Sequence, residues 1–268
     1  MSLRPIPIAI LLCSLYGSST LAFVSHLASN SNDPELKACF EQLETIASLE
    51  QEVSFDTYSG TQSTGRSGVH IWWKELKEKD ARILVRVSNP PARAGVGLLI
   101  LGQQQSAPSL HMYLPELRSV RRISGNTLNG SLLASDFTYE DFLHLYGLTS
   151  ASKIVRLEDT QVAGRDVYVT ELIPEDEQSG YSKIRSFIDS QWCVPLQVDF
   201  YARSSDIKKT LTVKPEEIKE IDSYRLPLKF SMKNFVDETH TDVTIDSIEI
   251  NKSIPDGKFS LSNLRSGR

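Results

Sequence analysis

The sequence has few of the residues with which enzymes do chemistry, and they are not grouped into a catalytic pattern. Its five histidines, His26, His70, His111, His144 and His240, lie singly, without the spacing that binds a metal. Its three cysteines are too far apart for a zinc site, and no Gly-x-Ser-x-Gly turn is present. We therefore expect a protein that is not an enzyme, with no catalytic residues, no cofactor and no metal.

Basic charge is also scarce. The chain has 29 lysines and arginines against 34 acidic residues, which gives a net charge of −5. Binding to nucleic acid needs a basic face that neutralises phosphates, so this composition argues against a nucleic-acid partner.

Long apolar runs are confined to the N-terminus. Arg4 and the run from Ile6 to Tyr16 resemble a secretory signal, and Thr20 and Ala22 are the small residues expected before a cleavage site. We predict a cleaved signal peptide at residues 1–22 and a periplasmic protein; an uncleaved anchor is the alternative. Lipidation of Cys13 is disfavoured because Leu12 stands where a small residue is needed.

Cleavage would leave two cysteines, Cys39 and Cys193. In an exported protein they could form one disulfide bond. They could equally be two buried free thiols, because cysteine packs well as a small apolar residue.

The periodicity predicts one N-terminal helix followed by strands. Asn32 or Asp33 can cap a helix with Pro34 in its first turn, and apolar residues at a spacing of three to four continue to Leu49. From Val53 onward, about ten or eleven alternating segments are separated by turns every 8 to 12 residues, one of them at residues 163–166. This pattern predicts a mainly β (α+β) fold with a curved antiparallel sheet in a single domain at residues 33–264.

A curved single sheet can leave an apolar cavity between its inner face and the helices that cover it. We predict that the lining of such a cavity, or its lid, includes large apolar side chains from several predicted strands and from the segment before residue 148. The candidates are Trp73, Met112, Leu114, Phe137, Phe142, Phe200, Phe230 and Met232.

Arginines could add a polar rim to that cavity. Arg118, Arg121 and Arg122, with Arg93 and Arg156, could meet a lipid phosphate or an acidic partner. The alternative is that they are exposed strand positions paired with Glu116, Asp136 or Glu140. The adjacent Glu140 and Asp141 are interpreted as residues that favour a helix N-terminus. We interpret residues 111–142 as a hinge between the sheet and a lid.

Several segments carry a family resemblance. Residues 112–123 (MYLPELRSVRRI) and 135–141 (SDFTYED) resemble the outer-membrane lipoprotein-sorting-like proteins of the LolA-like superfamily, many of which are associated with RND/MMPL-type exporters. Residues 191–201, the late strands near residues 226–243, and residues 254–260 are similar to later parts of that family. One departure is at residues 206–209, where the family usually has a glycine in a hairpin turn.

The resemblance implies an unclosed half barrel covered by helices, which holds lipoprotein acyl chains or other lipids. It implies a periplasmic carrier for outer-membrane sorting or export, with an RND/MMPL-type exporter as a partner, and we expect a monomer. The alternative is a regulatory module that senses lipids or lipoproteins and binds a protein partner.

Overall fold

The computed structural model describes residues 33–41, 46–77, 80–103, 106–148 and 152–267. The predicted signal peptide at residues 1–22 lies outside the described residues. No helix in these ranges is long and apolar enough to cross a bilayer.

Strands dominate the fold. They are β1 (Ser48–Ser59), β2 (Gln62–Lys77), β3 (Asp80–Asn89), β4 (Gly97–Gln103), β5 (Ser106–Leu114), β6 (Ser119–Ile123), β7 (Ser152–Val162), β8 (Arg165–Pro174), β9 (Lys183–Asp189), β10 (Pro195–Tyr201), β11 (Ile207–Thr212), β12 (Ile218–Ile221), β13 (Tyr224–Pro227), β14 (Lys229–Asn234) and β15 (Thr239–Ile250). The helices are α1 (Pro34–Glu41), α2 (Tyr139–Leu145) and α3 (Leu261–Ser266).

Thirteen of these strands form one curved antiparallel sheet that does not close into a barrel. Its order is β6-β5-β4-β3-β2-β1-β15-β14-β11-β10-β9-β8-β7, and β12 and β13 form a separate hairpin. The predicted fold class is confirmed. The predicted ten or eleven strands were too few, because β6, β12 and β13 are only four or five residues long and show no alternation of their own.

The sheet has its first and last strands at its centre and two consecutive strands at its edges. β1 pairs with β2 and with β15, whereas β6 and β7 are the outermost strands. Because β6 and β7 follow each other in sequence, the chain must pass from one edge of the sheet to the other between them.

The predicted N-terminal helix was correct at its start and wrong at its end. Asp33 Oδ1 accepts hydrogen bonds from the amides of Glu35 (3.0 Å) and Leu36 (2.9 Å), as a capping residue does. Leu49, however, lies in β1, opposite Trp73 on one side and Ile250 on the other. Its spacing fits a helix, but pairing with two neighbouring strands overrides that local preference.

The turn predicted at residues 163–166 is confirmed. The turn between β7 and β8 consists of Ala163 and Gly164, which have φ values of 50° and 74°, the left-handed conformation that two-residue hairpin turns require. β4 is covered on both faces: Leu98 and Ile100 belong to the main core, and Leu99 belongs to a second core. We call the face with Leu98 the inner face and the face with Leu99 the outer face.

The outer face of β3 to β5 is covered by the C-terminal segment, residues 254–266. Ile254, Phe259 and Leu264 pack with Leu84 and Leu99. On the inner side, α1 contributes Leu36 and Cys39 to the main core. A disulfide bond joins Cys39 to Cys193 in the turn between β9 and β10, with 5.7 Å between the two Cα atoms.

Candidate functional site

The chain crosses the inner face between the two edge strands, and we call residues 124–148 the lid. The lid contains a short bridge between Ser131 and Thr138, followed by α2. Its apolar side chains face the sheet, and all of the following are at most 7 % exposed: Leu132, Phe137, Phe142, Leu143 and Leu148. The lid is therefore packed into the main core.

A capping box starts the helix of the lid. The Thr138 side chain accepts a hydrogen bond from the Asp141 amide (3.1 Å), and Asp141 Oδ2 accepts one from the Thr138 amide (2.8 Å). This reciprocal arrangement satisfies two amides that a helix start leaves unpaired. Glu140 and Asp141 lie in the first turn of this helix, as predicted, and its first helical residue is Tyr139.

Phe137 is the apolar contact between the lid and the middle of the sheet. Its ring meets Phe55 of β1 and Phe230 of β14 edge to face, with centroid separations of 6.0 Å and 6.2 Å. Edge-to-face pairs of this kind are favourable beyond the area they bury.

A buried ion pair joins the lid to β11. Asp141 is fully buried, and its Oδ2 lies 2.8 Å from Nζ of Lys209, which is 2 % exposed. The Tyr181 hydroxyl donates to Asp141 Oδ1 at 2.5 Å. Burial and the charge of Asp141 raise the pKa of Tyr181 well above its usual range, so this hydroxyl keeps its proton. Asp141 is thus fully hydrogen-bonded, as a buried carboxylate must be.

A second carboxylate joins the lid to the loop between β8 and β9. Glu140 accepts hydrogen bonds from the Ser179 hydroxyl and from the Gly180 amide (2.8 Å), and His144 Nε2 lies 3.7 Å from it. Desolvation raises the pKa of Glu140, but the hydrogen bonds from His144, Ser179 and Gly180 together outweigh it. The net pKa lies below the usual 4.5.

A third carboxylate joins the lid to β15. Asp136 accepts hydrogen bonds from the hydroxyls of Thr239 and Thr241, and the Asp136 amide donates to Thr241 Oγ1 at 2.9 Å. Asp136, Glu140 and Asp141 therefore fasten the lid to β15, to the loop between β8 and β9, and to β11. We call them the lid anchors.

Most of the predicted lining residues come together beneath the lid. Trp73, Phe137, Phe142, Phe200 and Met232 are buried in the main core, and Met112 and Phe230 pack against it. Leu114 is partly exposed at the end of β5 and is not a member of that cluster. Trp72, the neighbour of Trp73, packs on the outer face, as the alternation predicted.

Two clefts flank the lid. A narrow one of about 80 Å³ runs beside α2, where Leu128, Leu143, Leu148 and Glu140 line it. A wider, polar one of about 420 Å³ lies beside residues 131–138, and its walls include Thr57, Thr64 and Lys208. None of the predicted lining residues is among those that line these two clefts.

The five predicted rim arginines lie in three different places. Arg118, Arg121 and Arg122 are exposed at the β6 edge. Arg93 instead donates to the Leu133 carbonyl of the lid (3.1 Å) and to the Ser67 hydroxyl. Arg156 lies on β7, where it pairs with Asp159 of the same strand and with Asp33 beside α1. Grouping Arg156 with the others was wrong, because β6 and β7 are opposite edges of an open sheet.

The alternative partners for these arginines were also wrong in part. Asp136 and Glu140 are lid anchors with partners of their own. In the loop at residues 175–180, residues 175–178 are exposed, whereas Ser179 is buried against Glu140. The turn at residues 202–206 does without a glycine because Ser205 adopts the left-handed conformation, with a φ of 71°.

This fold is similar to those of several known proteins. A family model described as an uncharacterised protein matches residues 79–266. A domain named as an outer membrane lipoprotein-sorting protein from Vibrio parahaemolyticus has a TM-score of 0.77 and 24 % identity, covering 86 % of this chain and 97 % of its own. A DUF1329 family protein from Desulfovibrio piger has a TM-score of 0.77 and 19 % identity, covering 91 % of this chain and 98 % of its own.

A third structure, a LolA superfamily protein from Nitrosomonas europaea, has a TM-score of 0.66 and 16 % identity, covering 91 % of this chain and all of its own. The chain belongs to the LolA-like family. The predicted family is confirmed. No curated protein matches the sequence.

Sequence reasoning missed the lid anchors. Glu140 and Asp141 do lie in the first turn of α2, where a negative charge is favourable, but their main contacts are with distant parts of the chain. The one local signal was Lys209, a charged residue placed between apolar positions of a strand that is buried on its inner face.

Proposed function

We propose that this protein is a periplasmic carrier that holds lipoprotein acyl chains or other lipids between the inner face of the sheet and the lid. The observation that carries the proposal is a wide apolar sheet face, part of which is covered by one crossing segment, the lid. An acyl chain could replace the side chains that the lid now inserts, chiefly Leu132, Phe137 and Phe142. Burial of a chain would be favourable by roughly 25 cal/mol per Å².

The lid anchors support a cover that can detach. A buried ion pair gains little net free energy, because desolvation of the two charges offsets most of their attraction. Opening the lid would return Asp141 and Lys209 to water, while lipid would take over the apolar contacts. The proposal assigns no chemical step to any residue.

Two further parts of the proposal rest on the sequence. We propose that residues 1–22 are a cleaved signal peptide, so that N-terminal sequencing of the exported protein should begin at Phe23. We propose that residues 33–264 act as a single domain. The resemblance supports an RND/MMPL-type exporter as the donor or acceptor of the lipid.

The two adjacent tryptophans give a sharp test. Trp73 is buried on the inner face and Trp72 packs on the outer face. Two variants each keep one tryptophan, and both carry Trp192→Phe. The first also carries Trp72→Phe, so that only Trp73 remains. Its matched control carries Trp73→Phe, so that only Trp72 remains. Fatty acids brominated along the chain, which quench tryptophan on contact, should quench Trp73 strongly and Trp72 weakly. Equal quenching of both, or of neither, would contradict the proposed site.

Native mass spectrometry of the gently extracted protein provides an independent check. We expect bound lipid that is lost on delipidation and regained from vesicles. A protein that neither carries lipid nor shows Trp73-specific quenching would not be a lipid carrier.

A further inference from the structure

The edge formed by β6 carries an unusual concentration of unpaired positive charge. Arg118, Arg121 and Arg122 lie within five positions of a chain whose net charge is −5, and all three are exposed. None of them has an ion-pair partner among the residues that the structure describes. Among the described residues, no strand pairs with β6 on the side opposite β5.

The opposite edge is different. Arg156 of β7 forms ion pairs with Asp159 of its own strand and with Asp33 beside α1, and its guanidinium lies 4.9 Å from the centre of the Tyr168 ring. The charge of Arg156 is therefore neutralised within the protein, whereas the three arginines at the β6 edge have no such acidic partner among the described residues.

The acids expected as partners do not pair with these arginines: Glu116 forms no ion pair among the described residues. Asp136 and Glu140 are held by the hydroxyls and amide that make them lid anchors. The positive potential of the edge is felt by its neighbour His111, which is paired with Arg122 across β5 and β6. Burial, together with the charge of Arg122, lowers the pKa of His111.

The register of β6 indicates what kind of partner would fit. Arg121 is opposite Met112 on the inner face, and Arg122 is opposite His111 on the outer face. A membrane lying along this edge could meet both arginines, but it has no main-chain groups that could pair with β6. A strand added beside β6 presents side chains to both faces and can place a carboxylate next to each arginine.

We propose that β6 docks an acidic, extended segment of a partner protein, which adds to the sheet as a further strand. The free main-chain groups of the edge supply the hydrogen bonds, and the arginines select a segment with adjacent acidic residues. This interaction does not depend on lipid binding. The competing physical reading is that the arginines guard the edge against pairing with other strands, as charged edge residues often do.

The test uses the folded protein and a blocked hexapeptide with two adjacent central glutamates between threonine and valine residues, measured by calorimetry at low salt. We expect saturable binding that becomes about tenfold weaker in the Arg118→Gln, Arg121→Gln, Arg122→Gln triple variant. A peptide with glutamine at both central positions should weaken similarly. Methylation of alternate peptide amides should abolish binding, because it removes the hydrogen bonds of strand pairing.

A matched variant changes Lys37, Lys219 and Lys252, exposed on other elements, to glutamine, and it should bind the peptide as the unmodified protein does. Circular dichroism and the melting temperature check that both triple variants are folded. Failure of the unmodified protein to bind the peptide would overturn the proposal in favour of edge protection. Arginine-dependent binding to phosphatidylglycerol vesicles without peptide binding would overturn it in favour of a membrane surface.

Discussion

The lid on the inner face and the C-terminal segment on the outer face cover the same sheet from opposite sides, and they are fastened differently. The lid uses three carboxylates, one of which forms a buried ion pair with Lys209. The C-terminal segment uses Arg86, which is 8 % exposed and donates to the carbonyls of Leu264 (2.8 Å) and Asn263 (3.1 Å).

This difference bears on which cover can detach. Arg86 is one cation bound to neutral main-chain carbonyls, so releasing the C-terminal segment returns only a single charge to water. The lid anchors are charged groups that water solvates well, so opening the lid recovers much of the free energy that closing it required. The chemistry of the anchors thus favours the inner face as the side that opens.

The largest expected effect comes from breaking the buried ion pair. Lys209→Met leaves the Asp141 carboxyl group buried without its cation, and we expect the free energy of unfolding to fall by about 4 kcal/mol. Denaturant titration measures the loss. The double variant Asp141→Asn, Lys209→Met should recover most of it, since no uncompensated charge remains. A single variant as stable as the unmodified protein would show that the ion pair does not fasten the lid.

The same residues show how far the sequence could lead. Alternation in β2 and β3, the two-sided apolar character of β4, the turn at Ala163 and Gly164 and the capping box of α2 are local patterns, and each was predictable. The lid anchors were not, because Asp141 lies 68 positions from Lys209 and Asp136 lies 105 positions from Thr241. Only the folded sheet brings these partners together.

The aromatic residues show the same limit. Their number predicted an apolar inner face, and the structure does gather Trp73, Phe137 and Phe200 there. Whether they line a cavity or fill it depends on how closely the lid packs, which no spacing encodes. The end of α1 was mispredicted for a related reason: Leu49 fits helical spacing, but its pairing with β2 and β15 decides its conformation.

An intermediate effect is expected on the outer face. Arg86→Met keeps the volume of the side chain but removes the donors to Gly95, Asn263 and Leu264, so we expect a loss of about 2 kcal/mol. Hydrogen exchange followed by mass spectrometry should show faster exchange in residues 256–266 and unchanged exchange in the lid. Loss of protection in the lid as well would mean that the two covers are coupled through the sheet.

The smallest expected effect is a pH-dependent loss of stability in the lid, which the C-terminal segment should not share. The folded-state pKa of Glu140 lies below its usual 4.5, so this carboxylate contributes stability above about pH 4.5 and loses it as the pH falls through the lowered value. Glu140→Gln should cost about 1 kcal/mol at pH 7, because a neutral acceptor replaces a charged one. Below pH 4.5 the variant should lose less further stability than the unmodified protein.

The control for this effect is Glu171→Gln, since the pKa of Glu171 is also lowered. Desolvation raises it, but hydrogen bonds from Arg185 and Lys183, away from the lid, outweigh that rise. In both variants the free energy of unfolding should fall less steeply as the pH is lowered below 4.5. Amide hydrogen exchange in the lid, corrected for the intrinsic exchange rate, should become less sensitive to acid only in Glu140→Gln. Residues 256–266 should respond to neither. If acid loosened the C-terminal segment before the lid, the carboxylate anchors would not be what distinguishes the two covers.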